Sequence, residues 1–135
     1  MITLKNTLRI NATSCIGFGL LFMLFSSTTN QFLSATEPAP AIIIQVLGAI
    51  LLVNGLHLLW ASKLKTPSAI LVMYFSVGDF LWVFLSAVLA LLGIWIDTPA
   101  GIAATLIIAL MVGTLGTLQL ANLPKQPIAS SRLHR

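Results

Sequence analysis

Hydrophobic positions in this chain do not alternate with polar ones. They gather into four long blocks separated by prolines and charges. Charge-free runs extend from Ile10 to Thr36, Pro38 to Ser62, Phe80 to Ile96 and Thr98 to Pro124, and the third lengthens to Thr66–Ile96 when Asp79 is admitted to it. A helix rising 1.5 Å per residue needs roughly 20 apolar residues to cross a bilayer. Four such helices fit, at about residues 8–27, 40–61, 67–95 and 99–122. They make one transmembrane domain over residues 1–123, followed by a short basic tail, 124–135. The predicted fold is an all-α membrane protein, an up-down-up-down antiparallel bundle, because the links between the last three segments are too short for anything but antiparallel neighbours.

Punctuation supports these limits. Thr66-Pro67 and Thr98-Pro99 place a capping hydroxyl before a proline at the first helical position, where a missing N–H costs nothing. Pro38 and Pro40 precede the second segment, and Pro124 and Pro127 follow the fourth.

Composition agrees with the pattern: of 135 residues, 58% are hydrophobic and 7% charged, too few polar groups to cover a soluble surface. Seven Lys and Arg against three acids give a net charge of +4, and their positions matter more than their sum. Lys5 and Arg9 precede the first segment, Lys63 and Lys65 link the second to the third, and Lys125, Arg132 and Arg135 follow the fourth. All fall on one side of the predicted bundle, with Glu37 and Asp97 on the other. This positive-inside arrangement predicts that both termini are cytoplasmic. The cations therefore read as topology signals and contacts for anionic lipid, not as a nucleic-acid surface. A cleaved signal peptide is the alternative for the first segment, but Leu33-Ser-Ala35 is a poor cleavage site and the polar stretch after Phe25 is long. Cys15 precedes its apolar run, unlike a lipoprotein cysteine, and Asn11-Ala-Thr13, a glycosylation triplet in form, sits at the start of a helix on the cytoplasmic side.

Helices in lipid associate through small residues and polar contacts, since the tails are as apolar as leucine. Small residues recur at Thr105, Ala109, Gly113 and Thr117 in the fourth segment, at Asn11, Cys15 and Gly19 in the first, and at Gly48 and Gly55 in the second. The third segment has an inward stripe of Ser76, Asp79, Trp82, Ser86, Ala90 and Gly93, and a bulky side of Val77, Phe80, Leu81, Phe84, Leu85 and Val88 that suits lipid. Trp60 and Trp95 fall where interfacial aromatics belong.

Asp79 is the unusual residue. A mid-helix carboxylate costs about 2.5–3.5 kcal/mol to insert, against a gain of about 0.3–0.6 for each Leu, Ile, Phe or Val around it. The segment therefore inserts, but the carboxyl demands a partner or a proton. Counting from the cytoplasmic ends puts Asp79 roughly 17 Å deep, Asn54 and Thr114 roughly 12–14 Å, and His57 roughly 8 Å. Ser76 lies near Asn54's level and Gln119 is shallower. Asn54 and Thr114 are thus the expected partners, Trp82 is a further donor one turn away, and the polar seam comprises Asn54, His57, Ser76, Asp79, Trp82, Ser86, Thr114 and Gln119. Three readings stay open: a tie that fixes helix register, a site for a proton, cation or small ligand, and a contact between subunits.

Other chemistry is excluded by what is missing. Gly17-Phe-Gly19 lacks the third glycine and the preceding strand of a dinucleotide site, and no phosphate-binding loop is present. One cysteine and two histidines, one of them His134 in the tail, offer no metal spacing, no cofactor attachment and no catalytic grouping. The Gly48/Gly55 pair, the Asp79-x-x-Trp82-Val83-x-x-Ser86 pattern and Gln119 resemble a diffuse group of short, functionally uncharacterised bacterial four-helix inner-membrane proteins, over most of the last three segments. That resemblance implies the fold and no activity. The chain is similar to the small multidrug-resistance exporters in size and helix number only, for their essential glutamate lies in the first helix, where this chain has no acid. The function expected from the sequence is a non-enzymatic accessory or self-associating membrane component, partnered by the bilayer and by itself or another membrane protein. A proton-linked transporter or channel that titrates Asp79 is the alternative.

Overall fold

The computed structural model describes residues 3–123. Lys125, Arg132, His134 and Arg135, with the rest of the basic tail, lie outside the described residues. Within that range five helices occupy most of the chain: α1 (Leu4–Leu24), α2 (Ser26–Leu33), α3 (Ala41–Ser62), α4 (Ala69–Leu92) and α5 (Pro99–Ala121). All but α2 are long and apolar enough to cross a membrane. Where water is absent only a helix or a closed barrel satisfies its own backbone, so these apolar sequences become helices throughout. The outward residues are large and apolar, among them Val53, Ile70, Val77, Phe84, Leu91, Ile107 and Leu110. Such a surface is stable in lipid and not in water.

The spans run antiparallel in two close pairs, α1 with α3 and α4 with α5. Glycine sets the first contact. A Cβ on Gly19 would lie 2.8 Å from the Gly48 carbonyl oxygen, and one on Gly48 would lie 2.7 Å from that of Gly19 and 2.8 Å from Met23 Cγ. Two turns further along, a Cβ on Gly55 would fall 2.7 Å from Ile16 Cγ1 and 3.0 Å from the Ala12 carbonyl oxygen. Backbones therefore approach closely at Gly19 and Gly48, with Met23 and Ile16 packed into the space left by Gly48 and Gly55, which maximises dispersion contact where no hydrophobic force drives association. Leu8, Ala12, Cys15, Leu58, Ala61 and Phe75 continue this contact as a buried cluster that brings in the start of α4. In the second pair Gly116 faces Asp79 Cβ and the Phe80 ring, while Gly113 meets only Val83.

Helix ends depart from expectation in three places, each for a local reason. The first apolar segment is not one helix over 8–27. It starts at Leu4 under a Thr3 cap and breaks at Phe25 (φ −127°, ψ 44°), after which the polar Ser26–Leu33 stretch makes a second helix. The third segment starts at Ala69, not Pro67, because the Ser68 hydroxyl, rather than that of Thr66, accepts the Leu71 N–H at 3.1 Å. It ends at Leu92, not Trp95, because Gly93 takes a left-handed conformation (φ 68°) and closes the helix. Trp95 follows with φ 62° in the connection. At α5, Thr98 caps the helix with Pro99 in its first turn.

A polar clamp joins the two pairs at the end remote from Asp79. Asp97 accepts hydrogen bonds from Ser34 Oγ (2.5 Å), the Ala35 N–H (2.8 Å) and Thr36 Oγ1 (2.7 Å). Its own N–H donates to the Leu33 carbonyl at 2.9 Å, and Thr98 Oγ1 donates to that of Phe32 at 2.6 Å. Three donors favour the charged form, so the Asp97 carboxyl is held well below the ordinary carboxylate range. The clamp ties α2 to the α4–α5 connection and explains why a polar stretch follows an apolar helix.

Glycine contacts carry a direct test. Gly48→Val should destabilise the protein by about 1–3 kcal/mol, the range for overpacking. Gly17→Ala should lie within about 1 kcal/mol of wild type, since nothing comes within 4 Å of its Cβ position. Unfolding in mixed micelles measures both.

Candidate functional site

Asp79 lies on the α4 face turned toward α5 and α1, 5% exposed. Both donors to its Oδ2 come from other helices: Asn11 Nδ2 of α1 at 2.9 Å and Gln119 Nε2 of α5 at 3.1 Å. Asn11 Nδ2 also donates to Gln119 Oε1 at 2.8 Å, and Gln119 Nε2 to Ser76 Oγ at 3.1 Å. Ser76 Oγ donates in turn to the Gly116 carbonyl at 3.1 Å. From the far side, Asn54 Nδ2 donates to Cys15 Sγ, which donates to Asn11 Oδ1, each at 3.6 Å. Each primary amide has two N–H bonds to give, so Asn11 and Gln119 are fully committed. Neither can turn over without setting an oxygen against the carboxyl. The donors all run one way, toward Asp79 Oδ2 and the Gly116 carbonyl.

This network differs from the expected polar seam. Ser76, Asp79 and Gln119 are brought together. Asn54 is not a partner of Asp79 and reaches it only through Cys15 and Asn11. Thr114 is exposed, its hydroxyl donating back to the Leu110 carbonyl at 2.8 Å. His57 packs among rings, with Phe75 at 5.1 Å, Trp60 at 5.5 Å and Tyr74 at 6.0 Å between centroids. Trp82 stacks on Phe22 at 6.5 Å and donates to nothing among the described residues, and Ser86 is half-buried without a side-chain partner there.

Register accounts for the difference. Counting depth from the helix ends treats every helix as starting at one plane. Asp79 lies ten residues into α4, roughly 15 Å, and Gln119 two residues from the end of α5, roughly 3 Å. The pair is staggered, and Gly116 permits the approach that lets Gln119 reach across. Asn11, absent from the expected seam, supplies the third helix. Its signal was its place on the stripe with Cys15 and Gly19, all three of which are buried.

The packing glycines are placed as follows. Gly19, Gly48 and Gly55 sit in the α1–α3 contact, with Cys15 buried beside it. On α5, Ala109 is buried, Thr105 and Gly113 are half-buried, and Thr117 is exposed with its hydroxyl turned to the Gly113 carbonyl. Ala109, Gly113 and Thr117 border an outward groove of about 570 Å³ beside Phe80, Val83 and Leu110.

A second, larger space lies between α3 and α4. These helices touch near their short connection, through His57, Leu58, Tyr74 and Phe75, and then separate. The cleft between them has a volume of about 740 Å³ and is walled by Leu47, Ile50, Val53, Val77, Leu81 and Leu85, with Asn11, Cys15, Asn54 and Asp79 among its polar lining. Asp79 Oδ1 accepts no hydrogen bond among the described residues, yet it is not sealed from the cleft as a buried unpartnered atom would be. Among the described residues no group of three His, Cys, Asp or Glu could hold a metal ion.

Comparison with family models, with curated proteins and with solved structures returns no match.

The network ranks its members. Asn11→Ala should cost about 1–3 kcal/mol by leaving Asp79 and Gln119 each short of a partner. Thr114→Val should stay within about 0.5 kcal/mol, because that hydroxyl serves only its own helix. Equal losses from the two, measured by unfolding in mixed micelles, would contradict the network.

Proposed function

We propose that the chain is a non-enzymatic integral component of a bacterial cytoplasmic membrane, with both termini cytoplasmic, acting by association within the bilayer with its own copies or another membrane protein. The observation that carries this reading is the Asp79 network. Its carboxyl is held by α1 and α5 in a fixed pattern, as a joint between helix pairs is held. Among the described residues no nucleophile is paired with a base beside it, and the acyl, phosphoryl or hydride chemistry of an enzyme needs such pairs or a cofactor site. The α3–α4 and α4–α5 connections are short and the α1–α3 connection is folded into α2 and tied to Asp97, which leaves the lipid-facing sides as the main surface for recognition. The α5 groove beside Ala109, Gly113 and Thr117 supports close approach of another helix.

One observation favours a second reading, a proton-linked transporter or channel. Asp79 Oδ1 is unpartnered among the described residues and borders a cleft. The two readings part at Asp79→Asn, which keeps a hydrogen-bonding group and removes titration. In the associating component this variant stays folded and assembled, while Asp79→Leu loses the α1–α4–α5 joint and unfolds at lower temperature. Native mass spectrometry in lipid-like detergent reads both: the expected result is a multimer, or a co-purifying chain, retained in Asp79→Asn. A bare monomer would sink the associating role.

This orientation is supported by Lys5, Arg9, Lys63 and Lys65 at one end of the bundle and Glu37 and Asp97 at the other. A reporter active only in the periplasm, fused after Arg135, should be silent, and activity there would reverse the topology.

A further inference from the structure

We propose that the α3–α4 cleft is a binding site for a lipophilic primary amine, with its alkyl body between the two helices and its ammonium on Asp79 Oδ1. The surroundings of Asp79 are unbalanced in charge. Asp79 Oδ2 accepts from two amides, and both are saturated donors. These two donors stabilise negative charge on Oδ2, while Oδ1 accepts no hydrogen bond among the described residues. A carboxylate away from water needs a counter-charge, yet α3, α4 and α5 carry no Lys or Arg between their ends, and Lys5 and Arg9 of α1 are exposed. His57, which lines the cleft, packs among the Trp60, Tyr74 and Phe75 rings and makes no hydrogen bond to Asp79. The protein thus prepares one lobe of an anion and leaves the other facing a cavity.

The cavity defines the rest of the ligand. Its volume, about 740 Å³, falls within the range of roughly 300–1,000 Å³ usual for small-molecule sites. Its lining is mostly Leu, Ile and Val of α3 and α4, completed by Phe18 of α1, Tyr74 and Trp82 of α4 and Ile108 and Val112 of α5, and it suits an alkyl chain arriving from the bilayer. The carbonyl oxygen of the Asn54 side chain has no partner among the described residues and adds a second acceptor in the lining. Two free acceptors in an apolar wall ask for a donor-rich cationic head on an apolar body. An aminophospholipid carries the same ammonium, but its phosphate would need a cation, and no Lys or Arg lines the cleft. This favours a free amine over a lipid headgroup.

Equilibrium dialysis of the full chain in maltoside micelles tests the site with radiolabelled dodecylamine, against protein-free micelles as the baseline for partition. The expected result is saturable binding of one amine per chain, at least about tenfold tighter than dodecanol of the same length. Asp79→Asn should weaken amine binding by about tenfold or more while leaving dodecanol unchanged. Ala49→Trp, which fills the cleft away from the polar network, should abolish the binding of both. Equal binding of amine and alcohol by the wild-type protein overturns the proposal, and this comparison stands even if a variant does not fold. Unchanged amine binding in a folded Asp79→Asn overturns it too. Displacement of the amine by phosphatidylethanolamine at equal concentration would reassign the site to a lipid headgroup and overturn the choice of a free amine.

Discussion

The structure depends on one carboxylate oxygen that is shared by three helices. Asp79 Oδ2 belongs to α4, and its two donors belong to α1 and α5. In lipid no hydrophobic force distinguishes one helix register from another, so specificity must come from close packing and from polar groups that cannot be left alone. Each interhelical hydrogen bond of this kind contributes only about 0.6–2 kcal/mol. Their value here lies in being directional. Asn11 and Gln119 have no spare N–H, so a shift of either helix by one residue would strand several groups at once.

The rest of the architecture complements that joint. Glycine lets α1 and α3 come together as backbones, and Gly116 lets α5 reach the stretch of α4 that carries Asp79. The Asp97 clamp holds the opposite end through Ser34, Ala35 and Thr36. With α1–α3 and α4–α5 each tightly paired, and the pairs joined through α1, the helices α3 and α4 are left apart over much of their length. The cleft is therefore a consequence of how the joint is made. Its unpartnered carboxyl oxygen belongs to the same residue that holds the pairs together.

Much of this was legible in the sequence because bilayer thickness imposes length, and length plus apolar composition define a span. The number of spans, the inward stripe of Ser76 and Asp79, and the outward position of Phe84 follow from run length and periodicity. Phe80, expected on the lipid side, instead packs its ring against Gly116, and Val77 and Leu81 line the cleft. Register was less legible. Depth favours Asn54 and Thr114, but depth along a helix fixes neither the stagger between helices nor the face that meets a neighbour. Thr114 lies on the exposed side of α5, and Gln119, two residues from that helix's end, reaches Asp79 because Gly116 removes the side chain that would hold the helices apart. The Asp97 clamp was hidden for another reason. Its partners lie more than sixty residues away in a stretch whose polar character reads equally well as a plain loop.

Asn11 and Asp79 are far apart in sequence and joined across two helices, and solid-state NMR of the protein in lipid bilayers measures their separation directly. With the Asn11 side-chain nitrogen and the Asp79 carboxyl carbon selectively labelled, the account predicts a strong dipolar correlation, since Nδ2 lies 2.9 Å from Oδ2. No correlation between these atoms, with one appearing instead from the Asn54 amide, would contradict it.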